Sequence, residues 1–334
     1  MYIKADRILS GITGGAIDSA QLQTLLADPG YLGAFRSGIL YSPPRRDVLL
    51  ASPQAAAVVA GSALAVDELM VNTPIFTEVL ADSTWFTALV SSPAAAPMVY
   101  ANATGIATLF GADRKAVFAP HAAQMTLIGS EVSVWRDYVG STNLYGLGAG
   151  ARPTFNGPAI NGFTSVAFDG VNDILSDGPA GLFNAAASTF YFVIRPTTMT
   201  ANRAWIAESA DGGGYIGSSG AGGIFQAYNG VRYNFTGHGP IANTWQLYRL
   251  RKEYSNWYVK RNNSAEEFSV TPGLGFTPAN HSLVVGHRNN GSSTPEVFFA
   301  GQFAEIINLG KSAGDADADN IRITELLRSK YSLW

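Results

Sequence analysis

SPQAAAVVAGSALAVDELMVNTPIFTEVLADSTWFTALVSSPAAAPMVYANATGIATLFGADRKAVF, residues 52–118, carries a small polar residue about every tenth position. The markers are Ser52, Ser62, Thr73, Ser83, Ser92, Asn102 and Asp113, spaced 9 to 11 residues apart. About seven residues after most of them stands an apolar pair, such as Val58-Val59, Leu69-Met70, Val79-Leu80, Leu89-Val90 or Leu109-Phe110. Ser, Thr, Asn and Asp are preferred helix N-caps because a side-chain oxygen takes an otherwise orphaned backbone N–H. Pro53, Pro74 and Pro93 each follow a marker directly, where a missing donor costs nothing. Helices of seven or eight residues do not stand alone in water, so these units must stack on one another. The pattern predicts a solenoid-like array of short helices.

Upstream, Ser19 to Arg36 places Leu22, Leu25, Leu26, Tyr31, Leu32 and Phe35 at helical spacing, interrupted by Asp28-Pro29-Gly30, which predicts two short helices. Ser42-Pro43-Pro44-Arg45-Arg46 reads as a bend. Near residue 128 the character changes. SEVSVWRDYVG, TSVAFDGVNDILS, STFYFVIRP, NTWQLYRLRK, NWYVKRNN, EEFSV, HSLVVGHR and EVFFAGQFAEIIN each read as a strand, separated by Asp169-Gly170, Asn229-Gly230, Asn262-Asn263 and Asn290-Gly291. Many short strands without alternating helices indicate an antiparallel sandwich or jelly roll. Asp315 to Ser329, acidic early and basic late, suits a closing helix. The expected architecture is α + β and multidomain: a helical repeat domain over 1–127, and a β-sandwich with a terminal helix over 128–334. Trp135, Phe168, Trp245, Phe299 and Phe303 are its expected core.

Only 14 % of the 334 residues are charged, the net charge is −3, and there is no cysteine. No basic field invites nucleic acid, and thiol catalysis, disulfides and thiolate metal sites are excluded. No apolar run has the length of a signal peptide or a membrane span, so cytoplasmic synthesis without membrane insertion is expected.

SSPAAAPMVYANATGIATLFGADRKAVF and LQTLLADPGYLGAFRSG resemble the Ala/Ser-rich ten-residue repeats of bacteriophage and prophage structural proteins, over roughly residues 19–125. VWRDYVGSTNL, ARPTFNGPAINGFTSVAFDGVNDIL and FFAGQFAEIINLGKSAGDADADNIRITELLRSKYSLW, in that order, resemble the concanavalin A-like lectin/glucanase superfamily, particularly its laminin-G-like modules. The resemblances imply a virion structural protein, a head spike, decoration protein or tail fibre, whose lectin-like domain contacts a host surface polysaccharide. Homo-oligomers, trimers first, and other virion proteins are the implied partners. A polysaccharide depolymerase and a ligand-free spacer are the alternatives. Calcium is the one cofactor the superfamily suggests, with Asp169 and Asp173 as its ligands.

No enzyme is expected. The E-x-D-x-x-E strand of the superfamily's glucanases is missing, and Glu266-Glu267 are adjacent, so on a strand they face opposite sides. The histidines 121, 238, 281 and 287 have no metal spacing. A Ser-His-Asp set stays open, although no G-x-S-x-G elbow occurs. Sugar sites combine an aromatic platform with amide and charged groups. The candidate sugar contacts are therefore Tyr228, Arg232, Tyr233, His287, Arg288 and Asn289, which bound or follow strands.

Overall fold

The computed structural model describes residues 2–139, 143–176, 187–198, 203–209, 215–219, 224–228, 232–253, 256–270, 282–287 and 298–334. The chain divides into two compact units, residues 1–111 with 329–331, and residues 112–328 with 332–334. The sequence had suggested a boundary at 127/128. The division falls earlier because Arg114–Phe118 is a strand, paired antiparallel with Ala300–Leu309. Asp113 accordingly lies in the turn ahead of that strand.

The first unit is helical. Its regular members are Pro53–Ala60, Ala63–Val71, Thr73–Ala81, Ser83–Ser91, Ala96–Ala101 and Ala103–Phe110. Ser52, Ser62 and Asn102 cap as their spacing implies, each accepting a backbone N–H from its own first turn. Two caps sit one residue ahead of the expected markers: Asn72 accepts from the Ile75 amide, and Asp82 from those of Thr84 and Trp85. Several of the helices bury two apolar pairs, for example Ile75-Phe76 with Val79-Leu80, and Trp85-Phe86 with Leu89-Val90. The sequence reading found only the second pair. The helices also meet beyond their chain neighbours: Pro53–Ala60 lies against Ser83–Ser91, and Thr73–Ala81 against Ala103–Phe110. Three ten-residue units thus make one coil, and polar groups stitch its turns. Ser92 Oγ donates to the Ala60 carbonyl at 2.6 Å, and Trp85 Nε1 to the Leu50 carbonyl at 2.9 Å. Ahead of the repeat, Ser19–Leu26 starts on an Asp18–Gln21 capping box and Pro29–Phe35 on Asp28, as the interrupted pattern implied. The expected bend at Ser42 is instead the start of a helix, Pro43–Leu50, because proline fits a first turn without losing a bond. Tyr2–Thr13 is a further helix. No single helix among the described residues is long and apolar enough to cross a membrane.

The second unit is a curled antiparallel β-sandwich with a terminal helix, Ala318–Tyr331, whose last turn belongs to the first unit. One run of strands passes from Arg114–Phe118 through Ala300–Leu309, Ala187–Pro196, Gln246–Glu253 and Asn256–Arg261 to Glu267–Val270. The other includes Glu131–Arg136, Asn143–Gly146, Leu175–Ser176, Ser282–Val285, Arg203–Ser209, Tyr215–Ser219, Ile224–Tyr228 and Arg232–Phe235. Trp135, Phe168, Phe192, Trp205, Tyr248, Trp257, Phe299 and Phe303 form the core between them. Trp245 is only half-buried, outside that core. Each strand read from the sequence is present, within its described residues. Arg114–Phe118, Met125–Ile128, Asn143–Gly146, Thr154–Ile160, Arg203–Ser209, Tyr215–Ser219, Ile224–Tyr228 and Arg232–Phe235 were not read as strands, most being only four or five residues long, where alternation is hard to read.

Candidate functional site

On strand Gln246–Glu253, Tyr248 and Leu250 enter the core, so Leu247, Arg249 and Arg251 take the alternate face. Arg249 stands across from Tyr191 on one neighbouring strand and Lys260 on the other, and Arg251 across from Tyr258. The Tyr191 hydroxyl donates to Asn320 Oδ1 of the terminal helix at 3.0 Å, which fixes that helix over the Tyr191 side. The result is a cleft of about 520 Å³ walled by Arg249, Lys260, Asn262, Asn263, Asp315, Asn320, Thr324 and Trp334.

The cleft's ionic groups neutralise one another. Arg249 bonds Glu266 and Asp315, Lys260 reaches Asp315 at 3.1 Å, and Arg251 holds Glu266 at 2.8 Å and Glu253 at 3.0 Å. Arg328, also on the wall, pairs with Glu325 at 2.7 Å. The Arg251 guanidinium lies 3.5 Å above the Tyr258 ring centroid, which holds it flat. Burial works against the Asp315 carboxylate, but Lys260 and Arg249 more than offset it and hold its pKa below the usual range. The Arg249 side chain is 4 % exposed, and its Nε has no hydrogen-bond partner among the described residues. A buried donor left so costs about 1–3 kcal/mol. Trp334 is 47 % exposed, so the cleft carries an accessible indole face beside fixed amides and charges. The sequence reading took Asn262-Asn263 as a turn and Asp315 as a helix start and named none of these residues as a site, because strand alternation does not show which side chains on one face meet.

Of the expected contacts, Tyr228 and Arg232 face each other across two paired strands, with Tyr233 next along. The side chains of those three residues, and Arg288 and Asn289 altogether, lie outside the described residues. His287 does not serve as an exposed contact. It is buried, and its ring stacks on Phe298 with centroids 4.6 Å apart.

Asp169 and Asp173 build a turn. Asp169 Oδ1 accepts the N–H groups of Val171 at 2.7 Å and Asn172 at 3.2 Å, and Asp173 Oδ2 accepts that of Asp169 at 2.7 Å. Gly170, with φ +79, takes the left-handed step between them. Two carboxylates already bonded to amides do not fit the six to eight oxygens calcium takes, and among the described residues no group of three His, Asp or Glu converges as metal ligands. The pair borders a concavity of about 290 Å³ with Glu131, Arg152 and Thr154. Burial pushes the Asp173 carboxyl up from 3.8 to about 6, and the Asp169 and Glu131 carboxylates add to this, against the Asp169 amide it accepts. The folded chain therefore holds this proton between about pH 4 and 6, where the unfolded chain has released it. Stability from this group is present at low pH and lost as pH rises through 6. Asp173→Asn keeps an acceptor for the Asp169 amide. We expect it to melt higher than the parent at pH 7 and to lose most of that gain as pH falls to about 4; parallel melting curves across the range would refute this.

No family model matches the chain, and no curated protein matches it. Solved structures are similar to it in part. Domain 4 of the arabinanase AbnA from Geobacillus stearothermophilus, in complex with arabinotriose, is 15 % identical with a TM-score of 0.48, over 64 % of this chain and 98 % of that one. A Trypanosoma rangeli sialidase is 10 % identical with a TM-score of 0.46, over 65 % of this chain and 33 % of that one. A GH54 α-L-arabinofuranosidase is 14 % identical with a TM-score of 0.45, over 61 % of this chain and 52 % of that one. The chain thus spans about a third of the sialidase and half of the arabinofuranosidase. The expectation that the chain is no enzyme is corrected on this finding. The solved structures that share this partial likeness are of an arabinanase domain, a sialidase and an arabinofuranosidase.

Proposed function

We propose that the β-sandwich unit binds carbohydrate, in the cleft walled by Arg249, Lys260, Asp315, Asn262 and Trp334. One observation carries this reading: a self-neutralised set of ionic and amide groups, held by mutual bonds, beside an exposed indole. Sugar hydroxyls donate and accept at once, and sugar C–H faces lie on aromatic rings, so this combination matches them. With every cleft cation already paired, the ligand is a neutral glycan in preference to an acidic one. In the finer form of the proposal the chain is a phage-type virion structural protein, a head spike, decoration protein or tail fibre. Its binding unit engages a host cell-surface polysaccharide, and trimerisation multiplies weak single contacts. The ten-residue helical repeat supports that form. Screening the full chain on a glycan array, with light scattering for its oligomeric state, tests both parts. Binding to neutral glycans that weakens several-fold in Trp334→Ala, as loss of about 1 kcal/mol of aromatic contact implies, supports the site. No binding by the folded chain removes it.

A second reading, a polysaccharide depolymerase, is favoured by the buried Asp173. A carboxyl raised to about 6 in a concavity beside Asp169 and Glu131 is how a general acid is kept protonated. New reducing ends on incubation with polysaccharide, absent with Asp173→Asn, would select it.

A further inference from the structure

We propose that Ser264, His238 and Glu267 form a nucleophile–base–carboxylate array that hydrolyses small carboxylic esters. Strand Arg232–Phe235 runs into a single 3-10 turn, Thr236–His238, which brings His238 against the hairpin between Asn256–Arg261 and Glu267–Val270. His238 Nε2 lies 2.9 Å from Ser264 Oγ, and Nδ1 lies 2.8 Å from Glu267 Oε2. A hydroxyl on one ring nitrogen and a carboxylate on the other is the arrangement an activated serine needs. The three groups come from two separate segments of the chain.

The array is held from outside. Glu267 accepts the backbone N–H groups of Thr236 at 3.2 Å and Gly237 at 3.1 Å, which fixes its carboxylate beside the ring. The His238 carbonyl accepts the Tyr248 hydroxyl at 2.9 Å, and the next carbonyl, Gly239, takes the Arg261 guanidinium. Ser264 Oγ accepts the Arg261 N–H at 3.2 Å, leaving its own hydrogen for His238 Nε2. His238 is 5 % exposed, whereas Ser264 is half-buried beside the exposed Ala265. The base is shielded and the nucleophile is reachable. The Ala265 carbonyl also stands 2.9 Å from Nε2, so once that nitrogen takes a proton both ring N–H groups face acceptors. Adjacent Glu266 points the other way, into the Arg249–Arg251 network, so the two neighbouring carboxylates serve different sites.

The chemistry balances without a metal or co-reactant. The Ser264 proton passes to His238 Nε2 as Oγ bonds the ester carbonyl carbon. Collapse breaks the bond to the alcohol oxygen, which leaves with the proton from Nε2. Water then adds to the acyl-serine and gives its proton to Nε2, and the acid departs as that proton returns to Oγ. Glu267 acts as a positioning residue, holding the tautomer with hydrogen on Nδ1. The inference is independent of carbohydrate binding, because any small acetyl ester reports it.

The test uses the full chain. A fluorophosphonate probe is expected to add once, at Ser264, by peptide mass mapping. Hydrolysis of 4-nitrophenyl acetate should saturate, and should vanish with Ser264→Ala and His238→Gln. Glu267→Gln should lower kcat by roughly a thousandfold or more with KM nearly unchanged, and Glu267→Asp should recover part of it. A folded parent protein that acquires no adduct at Ser264 overturns the proposal, whatever the variants do. So does hydrolysis by a folded Ser264→Ala equal to that of the parent.

Discussion

Trp85→Ala should cost the helical unit most of its stability. The indole is fully buried, and its N–H donates to the Leu50 carbonyl, 35 residues earlier, at 2.9 Å. Removing a buried tryptophan costs about 3–5 kcal/mol, and the Leu50 carbonyl is then left without its donor. A domain's whole stability is on the order of 5–15 kcal/mol, so the variant sits near the edge of folding. We expect the helical transition in a circular dichroism melt to fall by roughly 12 °C or more, at about 4 °C or more for each kcal/mol, with the β-sheet signal at 218 nm melting as before. Trp85→Phe keeps most of the volume and should lose less than half as much. A drop of only a few degrees in Trp85→Ala would mean that the turns of the coil are not joined as described.

Arg249→Ala should have the largest effect on the cleft. Its guanidinium spans Glu266 and Asp315, and the side chain is 4 % exposed. Breaking a buried ion pair by deleting one partner costs about 3–5 kcal/mol, because the other charge stays buried. Here Arg251 still holds Glu266 and Lys260 still holds Asp315, so the lower end of that range is expected. Glycan binding should nevertheless disappear, since the position of Asp315 depends on both cations. Arg249→Lys is not a conservative rescue, because an ammonium does not reproduce the planar fork. Calorimetry with the best array ligand, read beside the melting temperature, separates the two losses. Trp334→Ala, at an exposed position, should weaken binding at an unchanged melting temperature.

Much of the fold was legible because both periods are strong. The ten-residue spacing from Ser52 to Asn102 marked the helices, since caps and apolar pairs recur together. Two markers were one residue late, because Asn72 and Asp82 outcompete the Thr73 and Ser83 that follow them. The sandwich was legible from strands such as STFYFVIRP and NTWQLYRLRK. The candidate site was not. Arg249 and Lys260 are cross-strand neighbours eleven positions apart in sequence, Asp315 joins from beyond the last strand, and nothing local in the chain announces their meeting. Ser264, His238 and Glu267 converge through one 3-10 turn with no motif around the serine. His287 was misread because its loop-like context, GHRNN, conceals a ring stacked on Phe298.

The most direct measurement is heteronuclear NMR of the full chain titrated with the neutral oligosaccharide that binds best on the array. We expect the Trp334 indole N–H, the Arg249 Nε–H and the Asn262 and Asn263 amides to shift together and saturate with one dissociation constant. Shifts confined to other surfaces, such as the Asp169–Asp173 concavity, or none at saturating ligand, would contradict it.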